Sequence, residues 1–266
     1  MHIGFFDSGI GGIAVAKSVV RLLPQYSYRY FADDTHMPYG NKSKEVLYDL
    51  TTRALRTLFE QDCALVILAC NSASTVLPRI QKEWLPAHFP DRTVLGVIRP
   101  TAEDIAEKSL KTQTYILATP ITVEAQSFAH ELTKIGQKGS YQAIACPGLA
   151  EAIENTTDYL NDTHTNSLLK AFLARVPLEK KITLYTGCTH YAFVTDSIRK
   201  LRPLATVRNQ GKIVCHKFAD YLRRHPELEE RLTRVQDQSI AISCTSMDVT
   251  YIKKLQSAFQ FHFSRI

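Results

Sequence analysis

No run of about 18 consecutive apolar residues, the length needed to cross a bilayer as a helix, occurs in the 266-residue chain. A membrane span is therefore not expected. Cysteine is scarce: there are six, and none is spaced as CxxC. That is too few and too scattered for a disulfide scaffold, so each is read as a buried residue or a reactive thiol. HxxxH spacing is also missing, which leaves a Cys, His and Asp metal site without a supporting pattern. Low-complexity linkers and tandem repeats are absent. The opening Met1-His2-Ile3-Gly4-Phe5-Phe6-Asp7 meets an acid before a signal-peptide core could form, and a cytoplasmic location is expected. The net charge of +6 is not gathered into a block. Its densest cluster, Arg223-Arg224-His225, runs into Glu227, Glu229 and Glu230, the pattern of a solvated helical face. Nucleic-acid binding is accordingly not expected as the main activity.

Apolar residues make up 45% of the chain and charged ones 22%, an ordinary balance for a folded protein with a sizeable core. At this length, one large or two modest domains are expected. Short apolar runs alternate with amphipathic segments. Strands are expected at His2–Phe6, Tyr28–Ala32, Ala64–Ala69, Val94–Ile98, Thr114–Ala118, Tyr141–Ala145, Lys181–Tyr185, Ser239–Cys244 and near Phe261–Phe263. Helices are expected at Ile13–Leu23, Lys44–Gln61, Ser74–Leu85, Thr101–Leu110, Val123–Ile135, Thr165–Val176, Val214–Arg224 and Asp248–Phe259. Near-continuous apolar strands alternating with helices indicate an α/β fold with mainly parallel sheets covered on both faces.

In such sheets, ligands bind beyond the carboxyl ends of the strands. The residues found there are Asp7-Ser8-Gly9, Cys70-Asn71-Ser72, Thr119, Cys146-Pro147 and Gly187-Cys188-Thr189-His190. Cys70 and Cys188 echo one another, each following a buried strand and preceding small polar residues. A thiol at a helix start feels the positive end of the helix dipole, which favours the thiolate. A Cys beside a strand is otherwise an inert small hydrophobe, and that reading stands for Cys63, Cys215 and Cys244. Ser8, Asn71, Ser72, Thr119, Thr122 and Thr189 supply hydroxyl and amide donors suited to a carboxylate ligand. A dinucleotide fingerprint is not supported, because the third glycine of Gly9-x-Gly11 would fall on Ala14. Asp7 reads equally as a helix cap or as an acid tuning a thiol, and His190 as a core histidine or a partner of Cys188. A Cys–His hydrolytic dyad would use one cysteine and leave its counterpart idle.

Five segments resemble those of glutamate racemases, in the family's order and spacing. They are Phe6-Asp7-Ser8-Gly9-Ile10-Gly11-Gly12, Pro38-Tyr39-Gly40-Asn41-Lys42-Ser43, Ala69-Cys70-Asn71-Ser72-Ala73-Ser74, Gly96-Val97-Ile98 with Pro100, and Gly187-Cys188-Thr189-His190-Tyr191. The resemblance implies two similar α/β domains, residues 1–97 plus 209–266 and residues 98–208, with the active site in the cleft between them. It maps the family's catalytic pair onto Cys70 and Cys188, its supporting acid onto Asp7, its histidine onto His190 and a second acid onto Glu154. Substrate contacts map onto Ser8, Pro38, Tyr39 and Gly40, and onto Asn71, Ser72, Thr119 and Thr189, with Thr122 beside them. The implied activity is racemisation of glutamate by two-cysteine acid/base catalysis with no cofactor, supplying D-glutamate for peptidoglycan. Aspartate or another amino acid as substrate, or a weakly catalytic paralogue that binds and inhibits DNA gyrase, are the alternatives. Assembly as a homodimer and contact with gyrase stay open. The chain departs from the family pattern at Ala192, where Pro is usual, and at Arg208-Asn209-Gln210, where an Asp-Ser segment is usual.

Overall fold

The computed structural model describes residues 1–108, 112–136, 141–178, 180–236 and 239–260. Within them lie two sheets in which every strand pairing is parallel. The first holds β1 (His2–Asp7), β2 (Ser27–Ala32), β3 (Cys63–Leu68), β4 (Thr93–Gly96) and β9 (Ser239–Cys244), in the order β4-β3-β1-β2-β9. The second holds β5 (Gln113–Ala118), β6 (Tyr141–Ala145), β7 (Ile182–Gly187) and β8 (Ala205–Arg208), in the order β6-β5-β7-β8. The central strands β3 and β7 are buried along their whole length, which is why they read as unbroken apolar runs rather than as alternations. One apolar cluster contains Phe5 and Leu65 of the first sheet together with Leu117 and Leu184 of the second, so the two α/β domains share a core.

Local chemistry sets the helices that carry these sheets. Lys44–Glu60 starts where the Ser43 hydroxyl accepts the Val46 N–H at 3.3 Å, and it buries Leu47, Leu50, Ala54, Leu55 and Leu58 on one stripe. Gln210–Arg224 starts at Asn209, whose side chain accepts the Gly211 N–H at 2.8 Å, and it packs along helix Ile13–Leu22. This return from β8 to the first sheet is pinned by Arg208, which donates two 2.5 Å hydrogen bonds to Asp104 on helix Ile98–Lys108.

Several expected elements differ. The helix expected at Val123–Ile135 is two helices, Pro120–Glu124 and Ser127–Lys134, because Gln126 takes a left-handed backbone (φ 48°) between them. The single helix expected at Ser74–Leu85 is interrupted: one turn at Asn71–Ser74 is followed by a second helical piece from Leu77 that widens into a π-turn over Ile80–Trp84. Pro86 just beyond it has no N–H to continue the regular ladder. Strand β8 and helix Leu149–Asn155 are additions. The strand expected near Phe261–Phe263 and the end of the helix expected at Thr101–Leu110 lie outside the described residues. Among the described residues no helix is long and apolar enough to cross a membrane, and no group of three or more His, Cys, Asp or Glu is placed to hold a metal ion.

Candidate active site

The carboxyl ends of strands from both sheets converge on one cavity of about 130 Å³. One water takes about 10–15 Å³ on this scale, so the space suits a small metabolite rather than a dinucleotide. Cys70, two residues past β3, lines it from the first sheet, and Cys188, directly after β7, from the second. Ser8, Pro38, Tyr39, Gly40, Asn71 and Ser72 complete the first sheet's side. Thr119, Glu154, Thr189 and His190 line the other. Asp7 and Thr122 stand behind this wall and do not line it: both are buried, and both bond to residues that do.

Cys70 is a buried thiol in which Sγ accepts the Ala73 N–H at 3.5 Å and lies 3.8 Å from Ser8 Oγ. The helix it caps, Asn71–Ser74, is a single turn with little dipole to offer. Burial pushes the Cys70 thiol well above its ordinary value, and the negative charge of Asp7 adds to this. The Ala73 N–H opposes them and is outweighed. The expected thiolate-favouring helix end is thus overruled by desolvation, and Cys70 rests as a neutral thiol. Asp7 is not a helix cap: the position before helix Ile13–Leu22 belongs to Gly12, and the carboxylate instead accepts the Gly9 N–H (2.8 Å) and the Thr189 hydroxyl (3.1 Å). Burial raises its pKa to about 6, against the pull of His190 and the Gly9 N–H.

On the other side, Cys188 Sγ lies 3.9 Å from His190 Nδ1, and His190 Nε2 lies 2.7 Å from Glu154 Oε2. Glu154 Oε2 also accepts the Ile10 N–H at 2.9 Å. Burial alone would raise the Glu154 carboxyl, but the hydrogen bond and charge of His190, the Lys254 ammonium and the Ile10 N–H hold it down at about 2. Burial works to lower the His190 pKa, yet Cys188 and Glu154 push it well above the usual histidine value. Glu154, His190 and Cys188 therefore form a buried chain of polar contacts, with Glu154 ionised at its outer end. Gly9 and Gly11 make this packing feasible. A Cβ on Gly9 would collide with Glu154 Oε2, and one on Gly11 with His190 Nδ1.

The remaining donors form a chain across the two sheets: Ser72 Oγ lies 3.0 Å from Thr119 Oγ1, which lies 2.9 Å from Thr122 Oγ1. Asn71 is locked by Gln210, donating to its Oε1 at 2.7 Å while Gln210 Nε2 donates back to Asn71 Oδ1 at 3.0 Å. The segment Arg208-Asn209-Gln210 thus does three jobs here: an ion pair, a helix cap and an amide clamp on the cavity wall. The Tyr39 hydroxyl donates to Asp33 Oδ2 at 2.5 Å. Cys146, noted at a strand end but not given a role, also lines the cavity. Burial pushes its thiol up to about 12, and its Sγ donates to the Ile144 carbonyl at 3.4 Å. Tyr251 and Lys254, which hold the far side of Glu154, carry no sequence signal, since they lie far along the chain from it. Cys63, Cys215 and Cys244 are buried free thiols outside the cavity, in line with the inert reading.

No family model matches the chain. Individual relatives do. It is 36% identical over 240 residues to the glutamate racemase of Dinoroseobacter shibae, covering 86% of each sequence. It is likewise 36% identical over 238 residues to that of Roseobacter denitrificans, covering 85% of this chain and 87% of the relative. The fold matches a solved glutamate racemase isoform from Bacillus anthracis with a TM-score of 0.82 at 24% identity, over 97% of this chain and 93% of that one. It matches the Francisella tularensis glutamate racemase, solved with D-glutamate, with a TM-score of 0.81 at 22% identity, over 98% and 94%. Relatedness of this extent along nearly whole sequences places the chain plainly: it belongs to the glutamate racemase family.

Proposed function

We propose that this protein interconverts L- and D-glutamate without a cofactor, using Cys70 and Cys188 as acid and base on opposite faces of the α-carbon. The observation that carries this reading is one small cavity lined by two thiols from different sheets, one 3.9 Å from His190 Nδ1 and the other within reach of the charge of Asp7. The proposed division into residues 1–97 plus 209–266 and residues 98–208 puts Cys70 in one domain and Cys188 in the other. In one direction, Cys188 as thiolate removes the α-proton while the neutral Cys70 thiol delivers a proton to the opposite face. In the other direction the roles exchange, and Asp7 takes the proton from Cys70. A carboxyl raised to about 6 is a better match for a thiol than an ordinary aspartate, while remaining mostly ionised at neutral pH. The His190 imidazole, backed by Glu154, faces the Cys188 sulfur at 3.9 Å and is the group with which that thiol exchanges its proton. The Ser8, Ser72 and Thr119 hydroxyls line the cavity and would donate to the substrate carboxylates, where negative charge builds in the transition state. Glutamate is assigned from the curated relatives, which are glutamate racemases, and its D-enantiomer would serve peptidoglycan synthesis.

The test is incubation of the purified protein with each enantiomer of glutamate in deuterated water, followed by chiral chromatography and proton NMR. Both enantiomers should converge to an equal mixture carrying α-deuterium, with nothing else added. Preferential turnover of aspartate, or a need for pyridoxal phosphate, would overturn the assignment.

A further inference from the structure

The Glu154 carboxylate is almost fully buried, yet each oxygen has two partners. Oε2 accepts from Ile10 N–H at 2.9 Å and faces His190 Nε2 at 2.7 Å. Oε1 accepts from the Tyr251 hydroxyl at 2.8 Å and the Lys254 ammonium at 3.4 Å. Lys254 donates in addition to the Glu154 main-chain carbonyl. A carboxylate offers about four lone-pair sites, so this one is saturated. The two halves of the arrangement come from different parts of the fold. Glu154 rides on helix Leu149–Asn155, after β6 of the second sheet. Tyr251 and Lys254 ride on helix Val249–Gln260, which packs on β9 and helix Ile13–Leu22 of the first.

The last torsion of a glutamate is broad and roughly two-fold, so nothing internal to the side chain decides which oxygen faces His190. Partners on the outer oxygen do. We propose that Tyr251 and Lys254 are positioning residues of the reaction, holding the outer oxygen of Glu154 so that the inner one stays on His190 and keeps the imidazole aimed at Cys188. The inference rests on the two-thiol reading of the cleft and extends it to a helix outside the cavity. Without these partners a buried anion is left half-paired, and it turns or takes up a proton. The His190 Nε2 acceptor is then lost, and with it the fixed orientation of the ring. The consequence is one-sided. Cys70 is served by Asp7, whose hydrogen bonds go to Gly9 and Thr189, not to Tyr251 or Lys254.

This asymmetry supplies a readout that general damage to the fold does not imitate. In Cys70→Ser the only cavity thiolate serving exchange is Cys188, and in Cys188→Ser it is Cys70. Lys254→Met and Tyr251→Phe are placed in each background, and α-deuterium exchange is measured for both enantiomers of glutamate. Exchange by Cys188 should fall roughly tenfold with either change, the scale of one lost charge-assisted hydrogen bond, while exchange by Cys70 should stay within about twofold. Lys254→Arg should restore most of the loss. With Glu154→Gln already present, Lys254→Met should cost less than about twofold more, because its route to the thiol is gone. Equal losses in both backgrounds, or full additivity with Glu154→Gln, would overturn the proposal. Undiminished exchange by Cys188 removes this proposal alone. A protein that exchanges neither enantiomer, even unmutated, removes the two-thiol reading and this inference with it.

Discussion

Replacing Glu154 with Gln separates the charge of its contact with His190 from its shape. Burial opposes ionisation of Glu154, but His190, Lys254 and the Ile10 N–H overcome it and hold the carboxyl at about 2, below its ordinary 4.5. At about 1.4 kcal/mol per pKa unit, this gap corresponds to roughly 3 kcal/mol of stability carried by the ionised form. The raised pKa of His190 is the same contact seen from its other end. Because the folded value lies below the unfolded one, the stabilisation is complete above pH 4.5 and is lost as pH falls from there towards 2. His190, shifted upward, holds its share below its unfolded value of 6.5 and loses it only as pH climbs through its folded value. Glu154→Gln, which cannot titrate, should therefore show a deficit of roughly 3 kcal/mol that is flat between about pH 5 and 7 and shrinks below about pH 4.5. Urea unfolding of both proteins at four pH values between 7 and 3 measures it, and the other carboxylates cancel in the difference. A deficit that stays constant down to pH 3, or is absent at pH 7, would refute the assignment of a charged, paired Glu154.

Asp7→Asn should do the reverse. Its carboxyl is raised by burial to about 6 from 3.8, so the folded protein loses stability as pH rises between those values. At pH 7 the Asn variant should be more stable by roughly 1–3 kcal/mol in chemical denaturation while racemisation falls about 100-fold. Cys70→Ser and Cys188→Ser should each lower racemisation at least roughly 1,000-fold, since a hydroxyl is a far poorer base at neutral pH. Chiral chromatography reads this directly. Gly11→Ala puts a methyl group into His190, and should cost about 1–3 kcal/mol of stability with loss of the Cys188-dependent exchange in deuterated water.

The fold is legible in the sequence where a single segment carries the whole signal. β3 and β7 are buried on both faces, so their apolar runs identified themselves, and the residues following them, Cys70 and Cys188, were found at once. Helix Leu149–Asn155 and strand β8 were missed for the opposite reason. Each is short, and β8 is an edge strand with no fully buried residue, so neither shows enough periodicity to stand out. The break at Gln126, a left-handed residue, has no proline or glycine to announce it. Likewise, the helix-start argument for a Cys70 thiolate used a local rule, whereas the thiol answers to burial and to Asp7, which the fold brings up from β1.

What the sequence could not supply is the set of bonds that joins distant segments around the cavity. Thr189 reaches Asp7 across 182 residues, and Ile10 reaches Glu154 across 144. Gln210 reaches Asn71 across 139, and Tyr251 reaches Glu154 across 97. Each of these links two distant segments that no spacing rule could pair, because spacing describes one element and these bonds describe how elements meet. They also explain why the departure at Arg208-Asn209-Gln210 is compatible with an intact cavity. An amide at position 210 occupies both polar atoms of Asn71 and adds a 3.0 Å bond to Thr101, and Asn209 caps the helix that carries Gln210. The wall beside Cys70 is thereby held by a buried amide pair with its polar groups satisfied, which is the condition for such a pair to rigidify a site rather than destabilise it.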